Sequence, residues 1–103
     1  MSDKVEFLLR KANEEQDHQE VVRIASENRA DLNKNSLNLS IRSAYSLGDF
    51  ETALDLSIEA SESYSDELMF ALFKARSLNQ MGEKDSALEV YGQLVTSHPD
   101  VQE

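Results

Sequence analysis

The chain has 103 residues, 20 of them acidic and 10 basic, for a formal net charge of −10, with 3 glycines, 1 proline and no cysteine. That length holds about one domain of ~100 to 200 residues, and the missing cysteines exclude thiolate catalysis, disulfides and sulfur-held structural zinc. The acidic balance argues against a duplex nucleic-acid partner, whose phosphate backbone is bound by Lys and Arg displacing counterions.

Hydrophobic residues at 40% and charged residues at 29% describe a folded soluble chain rather than a disordered one. No run reaches the ~18 to 20 apolar residues of a membrane span, and Met1-Ser2-Asp3-Lys4 lacks a signal peptide's hydrophobic core. The expectation is a cytoplasmic protein without membrane insertion.

Apolar residues recur three or four apart along the chain, which predicts helices. The first carries Val5, Leu9 and Ala12, with Asp3 as its N-cap and Glu6 three residues on. After a turn at Gln16 comes a second stripe, Val21, Val22 and Ala25. Ser36 suits the next N-cap, followed by Leu37, Ile41 and Ala44, a turn at Gly48, then Phe50, Ala53, Leu54 and Ile58. Ser65 or Asp66 would start the fifth helix with Ala71, Ala75 and Leu78; Gly82 would end it, and Ala87, Leu88, Tyr91 and Leu94 would line the sixth. Gly48 and Gly82 suit the left-handed residue that closes a helix. Six helices and no strand pattern make the fold class all-α.

The chain also repeats itself. Gly48, Ala53 and Leu54 return as Gly82, Ala87 and Leu88, each 34 residues on, and a weaker copy from Gln16 to Ile24 precedes Gly48 to Leu56 by 32 residues. The three copies span about 1–33, 34–67 and 68–103 and together make a single domain, 1–103.

A 34-residue helix-turn-helix period with Gly-acidic-x-x-x-Ala-Leu resembles the tetratricopeptide repeat (TPR). Gly82, Ala87, Tyr91 and Pro99 of the third copy fall where that motif expects them. The departures are Val5, Leu37 and Ala71 at the usual Trp; Leu9, Ile41 and Ala75 at the following glycine; Ser57 at an aromatic; and Gln16 at the turn glycine. The resemblance implies a right-handed α-solenoid of three helix-turn-helix hairpins, the first degenerate, whose first helices line a concave groove for a peptide or a partner's helix. One hairpin cannot bury its own apolar stripe, so neighbours stack to share a core.

Aligned on their turns, the copies place Arg10, Arg42 and Arg76 six residues before Gln16, Gly48 and Gly82. Phe7, Leu39 and Phe73 stand three residues earlier, and Asn13, Tyr45 and Asn79 three later. At 100° per residue the arginines lie about 130° from the core stripe of their own helix. The resemblance makes this direction the concave, ligand-contacting face. These nine residues form the expected peptide-binding groove, suited to an acidic segment or a C-terminal carboxylate, each Arg-carboxylate hydrogen bond contributing ~1.5 to 3 kcal/mol. The alternative is that the arginines pair with neighbouring acids such as Glu6, Glu14 or Asp49. A row of guanidinium groups does not itself demand a ligand, because charges ~10 Å apart in water repel by only about 0.4 kcal/mol.

A second candidate surface is the C-terminal end. Tyr91 and Val95 replace Ser57 and Ser61 of the preceding copy, making the last helix more apolar where terminal repeats usually become polar. Only Asp100-Val101-Gln102-Glu103 follows Pro99, like the beginning of a further helix. Either the chain is a fragment of a longer array, or Tyr91 and Val95 form an interface with another protein or a second copy, unless both turn inward.

Catalytic and cofactor chemistry have little support. His18 and His98 lack a second ligand at metal spacing, Glu14-Glu15 and Asp66-Glu67 do not form a calcium loop, and glycine-rich phosphate motifs are absent. No nucleophile-base pair is suggested by spacing. The expected function is a non-catalytic protein-protein interaction module, without cofactor or metal, that holds a short acidic peptide. The alternatives are a structural or oligomerisation segment, a homo-oligomer through the C-terminal face, and a regulatory fragment of a larger protein.

Overall fold

A computed structural model describes residues 2–97 of the chain. The helices are α1 (Ser2–Glu14), α2 (His18–Glu27), α3 (Lys34–Leu47), α4 (Phe50–Ser63), α5 (Leu68–Gln80) and α6 (Lys84–Ser97), with a 3-10 turn, Arg29–Asp31, between α2 and α3. The described residues are all-helical, with no strand among them. His98, Pro99 and Asp100-Val101-Gln102-Glu103 lie outside what is described, as does the side chain of Asp3, whose backbone falls inside α1 rather than at the N-cap position before it.

Three equivalent turns join the helices in pairs. Gln16, Gly48 and Gly82 adopt left-handed backbones with φ of 57°, 80° and 86°. In each, the next residue's N–H reaches back five positions: Asp17 to Ala12, Asp49 to Ala44 and Glu83 to Leu78, all at 2.9 Å. The left-handed residue's own N–H reaches back three positions, to Asn13, Tyr45 and Asn79 at 2.9, 3.0 and 3.1 Å, and the two bonds together satisfy carbonyls that a helix end would otherwise leave unpaired. Asp17 and Asp49 then cap the following helix, accepting from the N–H groups of Glu20 and Thr52 at 3.2 and 3.3 Å. A left-handed residue followed by an acid therefore ends one helix and starts the next within two positions.

The longer connections differ from the sequence expectation. The cap of α3 is Asn33, whose side chain accepts from the Ser36 N–H at 2.8 Å, so Ser36 sits inside the first turn rather than before it. At α5 the capping position is Glu67, with no side-chain cap bond, in place of Ser65 or Asp66. Both segments hold several residues able to cap, and packing selects the register.

Each helix packs on the next along the chain, and α3 also touches α1 and α5. That sets α1, α3 and α5 side by side. The molecule measures 38 × 26 × 20 Å, with a radius of gyration of 13.8 Å against about 13 Å for a compact 100-residue domain. Its apolar interior is a chain of three clusters. Val5, Leu9, Ala12, Val21, Ile24 and Ala25 fill the first; Leu37, Ile41, Leu56, Ala60 and Phe70 join α3, α4 and α5; Ala75, Val90 and Leu94 join α5 to α6.

On the second helix of each pair the inward face is rotated from the expected stripe. Ala53, Leu56, Ser57 and Ala60 are the buried residues of α4, whereas Phe50, Leu54 and Ile58 are half-buried. Both faces of α4 are apolar, so periodicity alone does not choose between them. On α6 the residue equivalent to Leu54 is Leu88, which is 67% exposed rather than inside. Ser57 is fully buried and donates to the Ala53 carbonyl at 2.6 Å, which satisfies its hydroxyl within its own helix.

Candidate functional site: two clefts along the first helices

The arginine column is carried by α1, α3 and α5, and all three side chains are exposed. Their surroundings differ. Arg10 bonds Glu6 one turn back at 3.4 Å, the self-pairing alternative, and Glu6 also accepts from the Asn33 amide at 3.4 Å. The Arg76 guanidinium lies 5.7 Å from the centroid of the Phe73 ring, a cation-π arrangement, and has no carboxylate partner among the described residues. Arg42 has neither ion pair nor side-chain hydrogen bond among the described residues.

Arg42 stands between two clefts and lines both. The first, about 480 Å³, lies between α1 and α3. Arg10, Asn13, Leu39 and Arg42 are the expected residues that it brings together. Its remaining lining is mostly polar and includes Ser36, Asn38, Ser43 and His18 of α2. The Ser36 hydroxyl and the Asn38 side-chain carbonyl are shielded from solvent and lack a partner among the described residues, and burying such groups without a hydrogen bond costs roughly 1 to 3 kcal/mol each. His18 Nδ1 lies 3.1 Å from Ser43 Oγ. Ser43 is only 1% exposed, which shields its hydroxyl from an incoming electrophile and makes this contact a link between α2 and α3.

The second cleft, about 550 Å³, lies between α3 and α5. Leu68, Met69, Leu72 and Phe73 give it an apolar wall, and Arg42 and Arg76 supply its cations. Glu67 at its edge is occupied: its carboxylate accepts from Lys34 Nζ at 2.7 Å, and this contact raises the lysine's pKa. The wall and the two guanidinium groups suit a ligand that is apolar and anionic at once.

Phe7, Tyr45 and Asn79 line neither cleft. Phe7 is 64% exposed at the α1 end. Tyr45 packs edge-on against Phe50 and Phe73 at 5.1 and 5.9 Å, and its hydroxyl accepts from Gln80 at 3.3 Å. Asn79 accepts from Lys84 at 3.3 Å. At the other end of the molecule Val95 is 54% exposed, while Tyr91 is half-buried against the α5–α6 cluster.

Sequence reasoning missed the polar floor of the first cleft. Ser36 and Ser43 have ordinary helical positions in α3, and only the approach of α1 and α2 makes them cleft residues. Among the described residues no group of three His, Asp or Glu side chains is placed to hold a metal ion, and no helix is long and apolar enough to cross a membrane.

No protein-family model matches the chain, and no curated protein or solved structure matches it.

Proposed function

We propose that this chain is a non-catalytic interaction module of the tetratricopeptide type, three stacked helix hairpins whose first helices hold a short acidic segment of a partner protein. The carrying observation is Arg42, an exposed guanidinium without a carboxylate partner among the described residues, which lines both clefts. A ligand carboxylate there makes charge-assisted hydrogen bonds of ~1.5 to 3 kcal/mol. A neighbouring apolar side chain of the ligand rests on Leu68, Leu72 and Phe73, with Arg76 available to a second acid. On the other side of Arg42, the half-buried Asn13 offers its side-chain amide to the ligand's main chain. The order of chemistry along the bound segment is therefore polar, acidic, apolar.

The protein's net charge of −10 opposes an acidic ligand at long range. Recognition depends on short-range contacts at the arginines, so selectivity exceeds what overall charge would provide. A second reading, association through the α6 face, is favoured by the exposure of Leu88 and Val95.

Selection from a displayed random-peptide library tests the groove reading. The wild type should enrich peptides with Asp or Glu beside a bulky apolar residue. Arg42→Glu should abolish their binding, a triple Arg10, Arg42, Arg76 to Ala variant should weaken it at least ~10-fold, and Leu88→Glu should leave it unchanged. Enriched peptides without acidic residues, or equal affinity for the triple variant, would overturn the reading.

A further inference from the structure

The molecule contains two junctions in which the second helix of one pair meets the first helix of the next, α2 on α3 and α4 on α5. On α3, Ser36, Ser40 and Ser43 are each no more than 2% exposed, and the His18–Ser43 contact shows that this face looks toward α2. The equivalent residues of α5 are Phe70, Lys74 and Ser77: the first and last are buried and Lys74 is half-buried. On α1 the equivalents are Lys4, Leu8 and Lys11, and all three are exposed, with Phe7 exposed beside them.

The other half of the junction behaves in the same way. Leu54, Ser57 and Ser61 of α4 are half-buried or buried, beside Leu56 and Ala60, which pack with Phe70 of α5; in the first copy Val22 and Ala25 of α2 are half-buried and buried, and Arg29 just beyond α2 is exposed. Their counterparts on α6 are Leu88 and Val95, 67% and 54% exposed, and the half-buried Tyr91 between them. Among the described residues, α1 and α6 thus each display one unmatched half of a junction that is twice completed between them. The rims are complementary as well: Lys4 and Lys11 flank Leu8 on α1, while exposed Asp85 and Glu89 flank Leu88 on α6.

We propose that the outer face of α6 is a docking site for α1 of a second copy of this chain, so that copies associate head to tail by repeating the internal helix order. Leu88 and Val95 of one copy cover Phe7 and Leu8 of the next, and the lysines of α1 meet the carboxylates of α6. Such a contact is heterologous, and unless its rotation closes a ring it generates open chains of copies. Two molecules of net charge −10 repel within the screening length, so association develops at high protein concentration and in salt of about 0.15 M or more, where that length is about 8 Å or less. This inference is independent of the peptide-binding reading.

Sedimentation equilibrium of the 103-residue chain from about 10 μM to 1 mM, in about 0.15 M salt, tests it with two surface variants, Leu8→Glu and Leu88→Glu. Both side chains lie on the surface, and circular dichroism checks that each variant keeps its helices. The wild type should grow in mean mass with concentration, and each variant alone should remain monomeric. Their equimolar mixture should form a 1:1 dimer and stop there, because only one intact α6 face and one intact α1 face remain to meet. Lys11→Glu should weaken association and Glu89→Lys in the same chain should restore it, a readout unaffected by loss of apolar surface. A wild type that stays monomeric throughout overturns the proposal. So does self-association of Leu8→Glu alone, which would indicate symmetric α6–α6 pairing, or of Leu88→Glu alone, which would indicate α1–α1 pairing.

Discussion

The α1–α2 pair and the α5–α6 pair share one turn geometry and each turns apolar side chains outward, Phe7 and Leu8 in one and Leu88 and Val95 in the other, yet their inward faces are closed to different extents. Six apolar side chains of the first pair, from Val5 to Ala25, are no more than 5% exposed, and Leu32 and Leu39 from outside the pair pack against them. In the last pair Val90 and Leu94 retain 8% exposure, while Met81, Leu88 and Val95 are open to solvent. Turn residues run the other way, since the last pair has Gly82 at its left-handed position and the first pair has Gln16. The turn residues set the close approach of two helices. Burial depends on a third helix, and α2 has α3 beside it.

Core truncations test this contrast with the largest expected effects. Leu9→Ala removes a fully buried side chain at the centre of the first cluster and should destabilise by about 3 to 4 kcal/mol. Leu94→Ala acts at an edge where water and neighbouring side chains can enter the space, and should cost about 2 kcal/mol. Urea denaturation of both variants provides the comparison. Equal losses would mean that α6 is as firmly packed as α1. Amide exchange should give the same order, with α6 less protected than α2, because local opening follows the density of buried contacts.

The arginine column was legible because counting back from three aligned turns needs no tertiary information. The left-handed turns were legible for the same reason: Gly48 and Gly82 mark them, and the repeat offset finds the third at Gln16. What remained hidden depends on which helix faces which. Leu54 and Leu88 occupy equivalent positions, but α4 lies between α3 and α5 whereas α6 packs on α5, so one side chain is half-covered and the other exposed. Nor could spacing reveal the first cleft's floor, since His18 and Ser43 meet across 25 residues of chain. Ser36 carried a misleading local signal: it is a good cap by type, and Asn33 three residues earlier takes that role.

The turns give the next largest effect and sharpen the same comparison. Gln16 holds a left-handed backbone that costs a non-glycine residue roughly 1 to 2 kcal/mol, and glycine's greater freedom in the unfolded chain offsets part of any gain from replacing it. Gln16→Gly should therefore stabilise by about 0.5 to 1 kcal/mol. Gly82→Ala should destabilise by about 1 kcal/mol through backbone strain alone, since an added Cβ would meet nothing within 4 Å. Opposite signs in thermal unfolding would confirm that the left-handed backbone sets the cost at both turns. A destabilised Gln16→Gly variant would show instead that the glutamine side chain makes a stabilising contact.

The smallest effect expected is electrostatic and belongs to the first pair. Arg23 donates to Glu20 from Nε at 2.8 Å, makes a second bond to the other carboxylate oxygen, and reaches Glu27 at 3.0 Å. The Arg23 hydrogen bonds hold the Glu20 carboxyl below its ordinary value near 4.5. A carboxyl depressed in the folded state contributes stability above its unfolded pKa and loses it as pH falls through the folded one. Arg23→Ala should therefore lower the melting temperature by a few degrees at most at pH 7, and the gap should close as pH falls below about 4.5. Acidification also neutralises the other carboxylates of this strongly acidic chain, but that change is common to both proteins and cancels in the difference. A gap that persists at low pH would assign the loss to the packing of the arginine's methylenes on α2 rather than to its charge.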